Sequence, residues 1–453
     1  MGTVLVKNIH TLVTMDRDRR ELHNVAIFVQ DQAIAQVGLT EDLPQEADQV
    51  LDLQGRHIVM PGLVNTHHHF YQTLTKVVPD AQNCDLFNWL KTLYPIWSKL
   101  TAEGVYVSAQ MAAAELMLSG CTTASDHLYI YPNDCTLDDE IAAMKAIGIR
   151  FHASRGSMSV GESLGGLPPD SLVEKEADIL KDSQRLIEQY HDPSRYSMLR
   201  MTLAPCSPFS VSPDLMRESA RMARSYTSVR LHTHLAENQS DIDYSLQKFG
   251  MTPEDYAESV GWLGDDVWHA HCVKLSDRAI LKFGRTGTGV AHCPCSNMRL
   301  ASGIASIRKM LNHGVPVGLG VDGSASNDIG NLMQEARTAF LLARVGSGDA
   351  KSMTARDILE VATLGGAKVL GRDDIGAIAP QMAADFIAIN VDRPEFAGAH
   401  HDLVAALIFC PVGNVDYSFI NGRMVIDRGQ LATVDLPMLI ERTNKLSLAM
   451  LQV

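Results

Sequence analysis

The chain has 453 residues, of which 46% are hydrophobic and 20% charged, with a net charge of −14. That length accommodates one large α/β barrel with an appendage, or two to three smaller domains. A surface this acidic has no electrostatic footprint for a phosphate backbone, which excludes nucleic acid as substrate or partner and leaves small molecules open.

The first ~55 residues alternate in short β-type bursts, "TVLVKNI", "TLVTM" and "NVAIFVQDQAIAQVG", and Asp31-Gln32 between two apolar runs reads as a hairpin turn. The same texture returns as "ADFIAINVD" and "DYSFINGRMVIDRGQLATVD", where Asn421-Gly422 is a strong hairpin signal. One small β-sandwich domain formed from both termini, residues 1–58 plus 375–434, is therefore expected. Between these ends, eight short apolar runs each precede a helical pattern: "HIVMPGLVNTHHH", "CTTASDHL", "GIRFHASR", "SMLRMTLAPC", "SVRLHTHLAE", "DVWHAHC", "TGVAHCP" and "VPVGLGVD". Amphipathic stretches such as 102–120 and 170–190 fill the gaps. Eightfold strand–helix alternation predicts a (β/α)8 TIM-type barrel over residues 59–374. A terminal helix is expected within 435–453.

The eight cysteines form no regular framework and no CxxC pair. Even Cys293 and Cys295, the closest two, read as free thiols in a reducing compartment. The N-terminal segment lacks the basic and apolar regions of a leader, Gly2 lacks the context for myristoylation, and no apolar run approaches membrane-spanning length. The expectation is a cytoplasmic protein with no membrane partner, assembled as a homo-oligomer.

Barrel enzymes work at the C-terminal ends of their strands. Run 1 ends in His67-His68-His69, and because alternate side chains share a face, the triplet becomes an HxH pair of His67 and His69. Run 5 ends in "HTHLAE", with His232, His234 and Glu237; run 6 in "HAHC", with His269 and His271; run 8 at Asp322. Each feature alone is more often packing, cap or turn. Jointly, imidazoles and a carboxylate at the same end of strands 1, 5, 6 and 8 converge over one mouth, and such a nitrogen–oxygen set suits one divalent metal, zinc or ferrous iron.

"PGLVNTHHHF", "HTHLAEN", "AHC" and "VDGSASND" resemble the amidohydrolase superfamily, in its aminopurine, pyrimidine and triazine hydrolase branch. The resemblance spans nearly the whole chain. It is tightest to bacterial 8-oxoguanine deaminases, through "NTHHHFYQTL", "LAPCSPFSVSP" and "GVAHCPCSNMRLASG". It implies that His67, His69, His234 and Asp322 are metal ligands, that Asp322 also accepts a proton from water, and that Glu237 is the proton shuttle. It further implies that His271 contacts water or substrate, with Gln72 and Cys206 beside Glu237 and His271 at the substrate. Cys206 stands where many relatives carry a histidine. Strand 4 ends "LAPCSPF" without the lysine of binuclear relatives, which points to a single metal. The implied reaction is hydrolytic deamination of a free purine base, 8-oxoguanine to urate and ammonia. Guanine or an s-triazine is the alternative substrate, and an inactive scaffold is the alternative class. His68, His232 and His269 are assigned to packing on the far side of the strands, and His127 and His292 to the rim. Arg155 is a weaker candidate for the site, since arginines in barrel loops often pair with acids.

Overall fold

The computed structural model describes residues 2–410 and 412–452. The first strands, β1 (Thr3–Val13) and β2 (Glu21–Gln30), bury apolar residues on both of their faces. Val4, Val6, Val25, Ile27 and Val29 pack into one small core, while Leu5, Ala26 and Phe28 pack into another on the opposite face. β2 turns at Asp31-Gln32 into β3 (Ala33–Leu39); β4 (Gln49–Asp52) and β5 (His57–Pro61) then both run parallel to β1.

Each of the eight apolar runs supplies one strand of a closed parallel barrel: β6 (Leu63–Asn65), β7 (Cys121–Leu128), β8 (Arg150–Ser157), β9 (Leu199–Pro205), β10 (Arg230–Leu235), β11 (Val267–His271), β12 (Gly289–His292) and β13 (Val317–Leu319). Leu319 pairs with Asn65 to close the ring. The first run is divided. Its front half, His57–Pro61, belongs to the terminal sheet, and only Leu63–Asn65 enters the barrel. Gly62 makes the crossing, because a Cβ there would lie 2.1 Å from the Thr122 side chain. His67–His69 therefore stand just beyond the end of β6, where their carbonyls accept the N–H groups of Asp322, His127 and Gln72.

After the barrel, β14 (Phe386–Asn390) pairs antiparallel with β5, from Phe386↔Pro61 to Asn390↔His57. β15 (Tyr417–Ile420), β16 (Arg423–Asp427) and β17 (Gln430–Leu431) extend the same nine-stranded sheet, so that both ends of the chain share one layer. The β15–β16 turn has Asn421 at φ 53° and Gly422 at φ 80°, the pair of left-handed residues a two-residue hairpin demands. The helix Ala102–Leu118 buries residues on most of its circumference, between β7 and the last helix, Leu436–Leu451. Among the described residues no helix is long and apolar enough to cross a membrane.

Candidate active site

Strand ends and the loops after them carry every residue of the site. Four positions at these strand ends adopt left-handed backbone without being glycine: Ala236 (φ 52°), His271 (φ 70°), Cys272 (φ 50°) and Asp322 (φ 64°). Such conformations cost ~1–3 kcal/mol each and persist only where the surroundings over-determine them. Here they turn the chain sharply at the ends of β10, β11 and β13, over the barrel mouth.

Side chains from four strand ends meet there. His67 Nε2 lies 3.2 Å and His69 Nε2 3.4 Å from Asp322 Oδ1, and His69 Nε2 lies 3.1 Å from His234 Nε2. The far nitrogens settle the tautomers. His69 Nδ1 contacts the His127 carbonyl at 2.7 Å and His234 Nδ1 the Cys206 carbonyl at 2.6 Å. A carbonyl only accepts, so both Nδ1 atoms carry the proton and both Nε2 atoms present lone pairs. Burial, reinforced by His69 and His271, lowers the His234 pKa to about 3, which keeps that ring neutral. Two lone pairs facing each other at 3.1 Å repel unless a cation lies between them. His67 Nε2 is buried and has no hydrogen-bond partner among the described residues. Tetrahedral ligands at ~2.1 Å from zinc stand ~3.4 Å apart, close to the separations seen here, so the residues fit one divalent metal.

Glu237 and His271 stand beside this cluster, with His271 Nε2 3.5 Å from Glu237 Oε2 and 3.9 Å from Asp322 Oδ2. Burial raises the Glu237 pKa to about 7; His271 opposes the shift, while Asp322 and Asp241 add to it. A carboxyl poised near neutrality can both give and take a proton. His271 Nδ1 is anchored on Asn297 Oδ1 at 2.9 Å, and Ser302 Oγ donates to Glu237 Oε1 at 3.3 Å. Neither Asn297 nor Ser302 was singled out from the sequence, although both lie in the segment "GVAHCPCSNMRLASG" that carries part of the family resemblance.

A cavity opens onto these groups, lined also by Gln72 and Cys206. Gln72 is buried in the 3-10 turn Phe70–Thr75; its Nε2 donates weakly to the Tyr71 hydroxyl at 3.5 Å, and its Oε1 has no donor among the described residues. The amide takes this position against Gly323, where a Cβ would lie 1.9 Å from Gln72 Oε1 and would push the amide aside. Burial pushes the Cys206 thiol up to about 12, so it lines the cavity as a neutral group. Trp89, Tyr94, Tyr129 and Phe209 complete the wall. The first two belong to the helix Leu86–Trp97, whose aromatic-rich sequence between strand 1 and the Ala102–Leu118 helix was the available signal.

The remaining candidates divide. His68 accepts the His69 N–H and His269 contacts the Trp262 carbonyl, both as buried packing. His232 departs from expectation. It is two residues from His234 and therefore faces the same interior, where its Nε2 lies 2.8 Å from His67 Nδ1. His127 and His292 lie outside the cavity lining: the His127 ring is buried behind His69 and His234, and the His292 carbonyl takes the Gly320 N–H. Arg155 is paired with Glu174 and Asp182, away from the cavity.

Comparison with known proteins agrees with this geometry. Residues 58–425 match the amidohydrolase family. The chain is 47% identical over 389 residues to an 8-oxoguanine deaminase from Pseudomonas aeruginosa, covering 85% of this chain and 86% of that one. It is 37% identical to hydroxydechloroatrazine ethylaminohydrolase of Pseudomonas sp. strain ADP, covering 96% and 93%. The crystal structure of an atrazine chlorohydrolase from Arthrobacter aurescens, complexed with zinc, superposes with a TM-score of 0.94 at 33% identity, covering 98% of this chain and 100% of that one. With a closed eightfold barrel, a sheet shared by both termini and a histidine–carboxylate cluster at the barrel mouth, this chain belongs to the amidohydrolase family.

Proposed function

We propose that this enzyme deaminates a free oxopurine, 8-oxoguanine, consuming one water and releasing urate and ammonia. In this reading His67, His69, His234 and Asp322 hold one divalent metal, with zinc favoured over ferrous iron by the zinc complex of a relative. When bound, such a metal brings the pKa of water toward neutrality and so supplies a hydroxide nucleophile.

The protein's own groups do the rest. Asp322 accepts the proton that water gives up. Glu237 passes a proton to the ring nitrogen beside the amine-bearing carbon, which makes that carbon electrophilic; as a carboxylate it then takes the hydroxyl proton of the adduct and gives it to the departing amine, and the proton held by Asp322 restores the acid. His271, fixed by Asn297, meets the attacking oxygen with Nε2. Trp89, Tyr94, Tyr129 and Phe209 offer flat apolar faces to a heterocycle and keep bulk water out.

The observation that carries the purine assignment is the Gln72 amide. Its Nε2 is turned to the Tyr71 hydroxyl, and its buried Oε1 waits for a donor inside the cavity. A ring N–H beside a carbonyl, as on an oxopurine edge, supplies that donor. Adenine presents a bare ring nitrogen beside an exocyclic amine at that edge, the reverse of the oxopurine pattern, and such a mismatch can cost ~10⁴-fold. The 47% identity to an 8-oxoguanine deaminase supports the same choice. Ammonia release from the zinc-loaded enzyme should be fastest with 8-oxoguanine, slower with guanine, and absent with adenine or nucleosides. A hydroxytriazine turned over faster than every purine would replace the assignment with the triazine one.

A further inference from the structure

We propose that His232 is a positioning residue that fixes the tautomer of His67 and thereby sets the metal affinity of the site; the inference rests on His67 being a metal ligand. His67 is the one histidine of the cluster whose Nδ1 does not reach a carbonyl. It meets another imidazole instead, His232 Nε2, at 2.8 Å. An imidazole nitrogen can donate or accept, so this contact alone does not say where the proton lies.

The next link decides it. His232 Nδ1 lies 3.0 Å from the Trp268 carbonyl, which can only accept, so that nitrogen carries the proton. A neutral His232 then has a bare Nε2, and the proton between the two rings belongs to His67 Nδ1. His67 Nε2 is left as a lone pair pointing at Asp322 Oδ1, 3.2 Å away. The opposite tautomer of His67 would put an N–H where a metal must bind.

Trp268 holds the relay in place. Its indole stacks on the His232 ring at 4.4 Å with an interplanar angle of 14°, and its Nε1 donates to the Thr66 carbonyl at 3.1 Å. Thr66, His67, His232 and Trp268 thus form a closed brace spanning β10, β11 and the end of β6. Both histidines are fully buried, so solvent offers no substitute acceptor for the His67 N–H. Hydrogen-bond partners of ligating histidines typically control metal affinity by ~10–100-fold.

The test is zinc affinity, measured by chelator competition on the purified full-length enzyme and on three variants. His232→Leu removes the acceptor and should weaken zinc binding by ~10–100-fold. His232→Gln can place its Oε1 near the original Nε2 and should restore affinity to within a few-fold of wild type. A folded His232→Leu variant that binds zinc as tightly as wild type overturns the proposal, as does a His232→Gln variant no better than leucine. Should the variants not fold, 15N-histidine spectra of the wild-type zinc enzyme decide: the proton must sit on His67 Nδ1, and its appearance on His232 Nε2 overturns the relay. His67→Ala separates the two levels, because unchanged zinc affinity there would remove His67 from the ligand set altogether.

Discussion

Glu237 occupies a buried position that raises its pKa to about 7, the range in which one carboxyl can serve both proton transfers. Glu237→Gln keeps its size and its contact with Ser302 while removing the exchangeable proton. The variant should keep the wild-type metal content and lose ~10²-fold or more in kcat; metal loss would instead mark Glu237 as a ligand. Gly323 is a sharper probe of the substrate side. Alanine there would push against Gln72 Oε1, which a Cβ would approach to 1.9 Å. Losing one good hydrogen bond, ~1.4 kcal/mol, should raise KM for 8-oxoguanine about tenfold with the metal retained. An unchanged KM would take Gln72 out of substrate recognition. The histidines and Asp322 could be listed from the sequence because strand alternation and strand ends are one-dimensional features. The space that Gly323 leaves for Gln72 could not, since those residues are 251 positions apart.

At the level of elements, two buried carboxyls, Asp126 of β7 and Glu140 of the helix Leu137–Ile147, lie close enough to act on each other's ionisation. Asp126 Oδ1 also accepts the Phe70 N–H at 2.6 Å, tying this pair to the turn that follows His69. Burial raises Asp126 to about 8 and raises Glu140 as well, so the folded protein holds a proton that the unfolded chain releases near pH 4. With the folded pKa above the unfolded one, the stabilisation is complete below pH ~4 and declines as pH rises toward about 8. Glu140→Gln leaves one carboxylate with an amide donor and should flatten that decline. Between pH 5 and pH 8 the variant should gain at least ~1 kcal/mol relative to wild type in denaturant unfolding; a difference independent of pH would show that the pair shares no proton. At β10, period-two geometry puts His232 on the face of His234 rather than on the far side of the strand, and its contact with His67 Nδ1 is visible only in the folded protein.

The last helix braces the turn that carries Gln72. Ser447 Oγ donates to the Leu74 carbonyl at 2.7 Å, inside the turn that carries Gln72, and Lys99 Nζ reaches the Met450 carbonyl at 3.3 Å. Removing residues 435–453 should therefore raise KM several-fold and lower Tm, while the cluster at the ends of β6, β10 and β13 keeps its metal; unaltered KM would show that the turn holds without the helix. The barrel, the β texture of both ends and the strand-end histidines were determined by the sequence alone, because periodicity, turn residues and motif spacing are local and survive projection onto one dimension. Three things were decided only in the folded protein: the division of the first run between sheet and barrel, the cavity wall of Trp89, Tyr94, Tyr129 and Phe209, and the chain of proton positions from Trp268 through His232 to His67. Each depends on which distant groups come within a few ångströms of one another. A hydrogen bond or a steric limit acts across space and leaves no period in the chain.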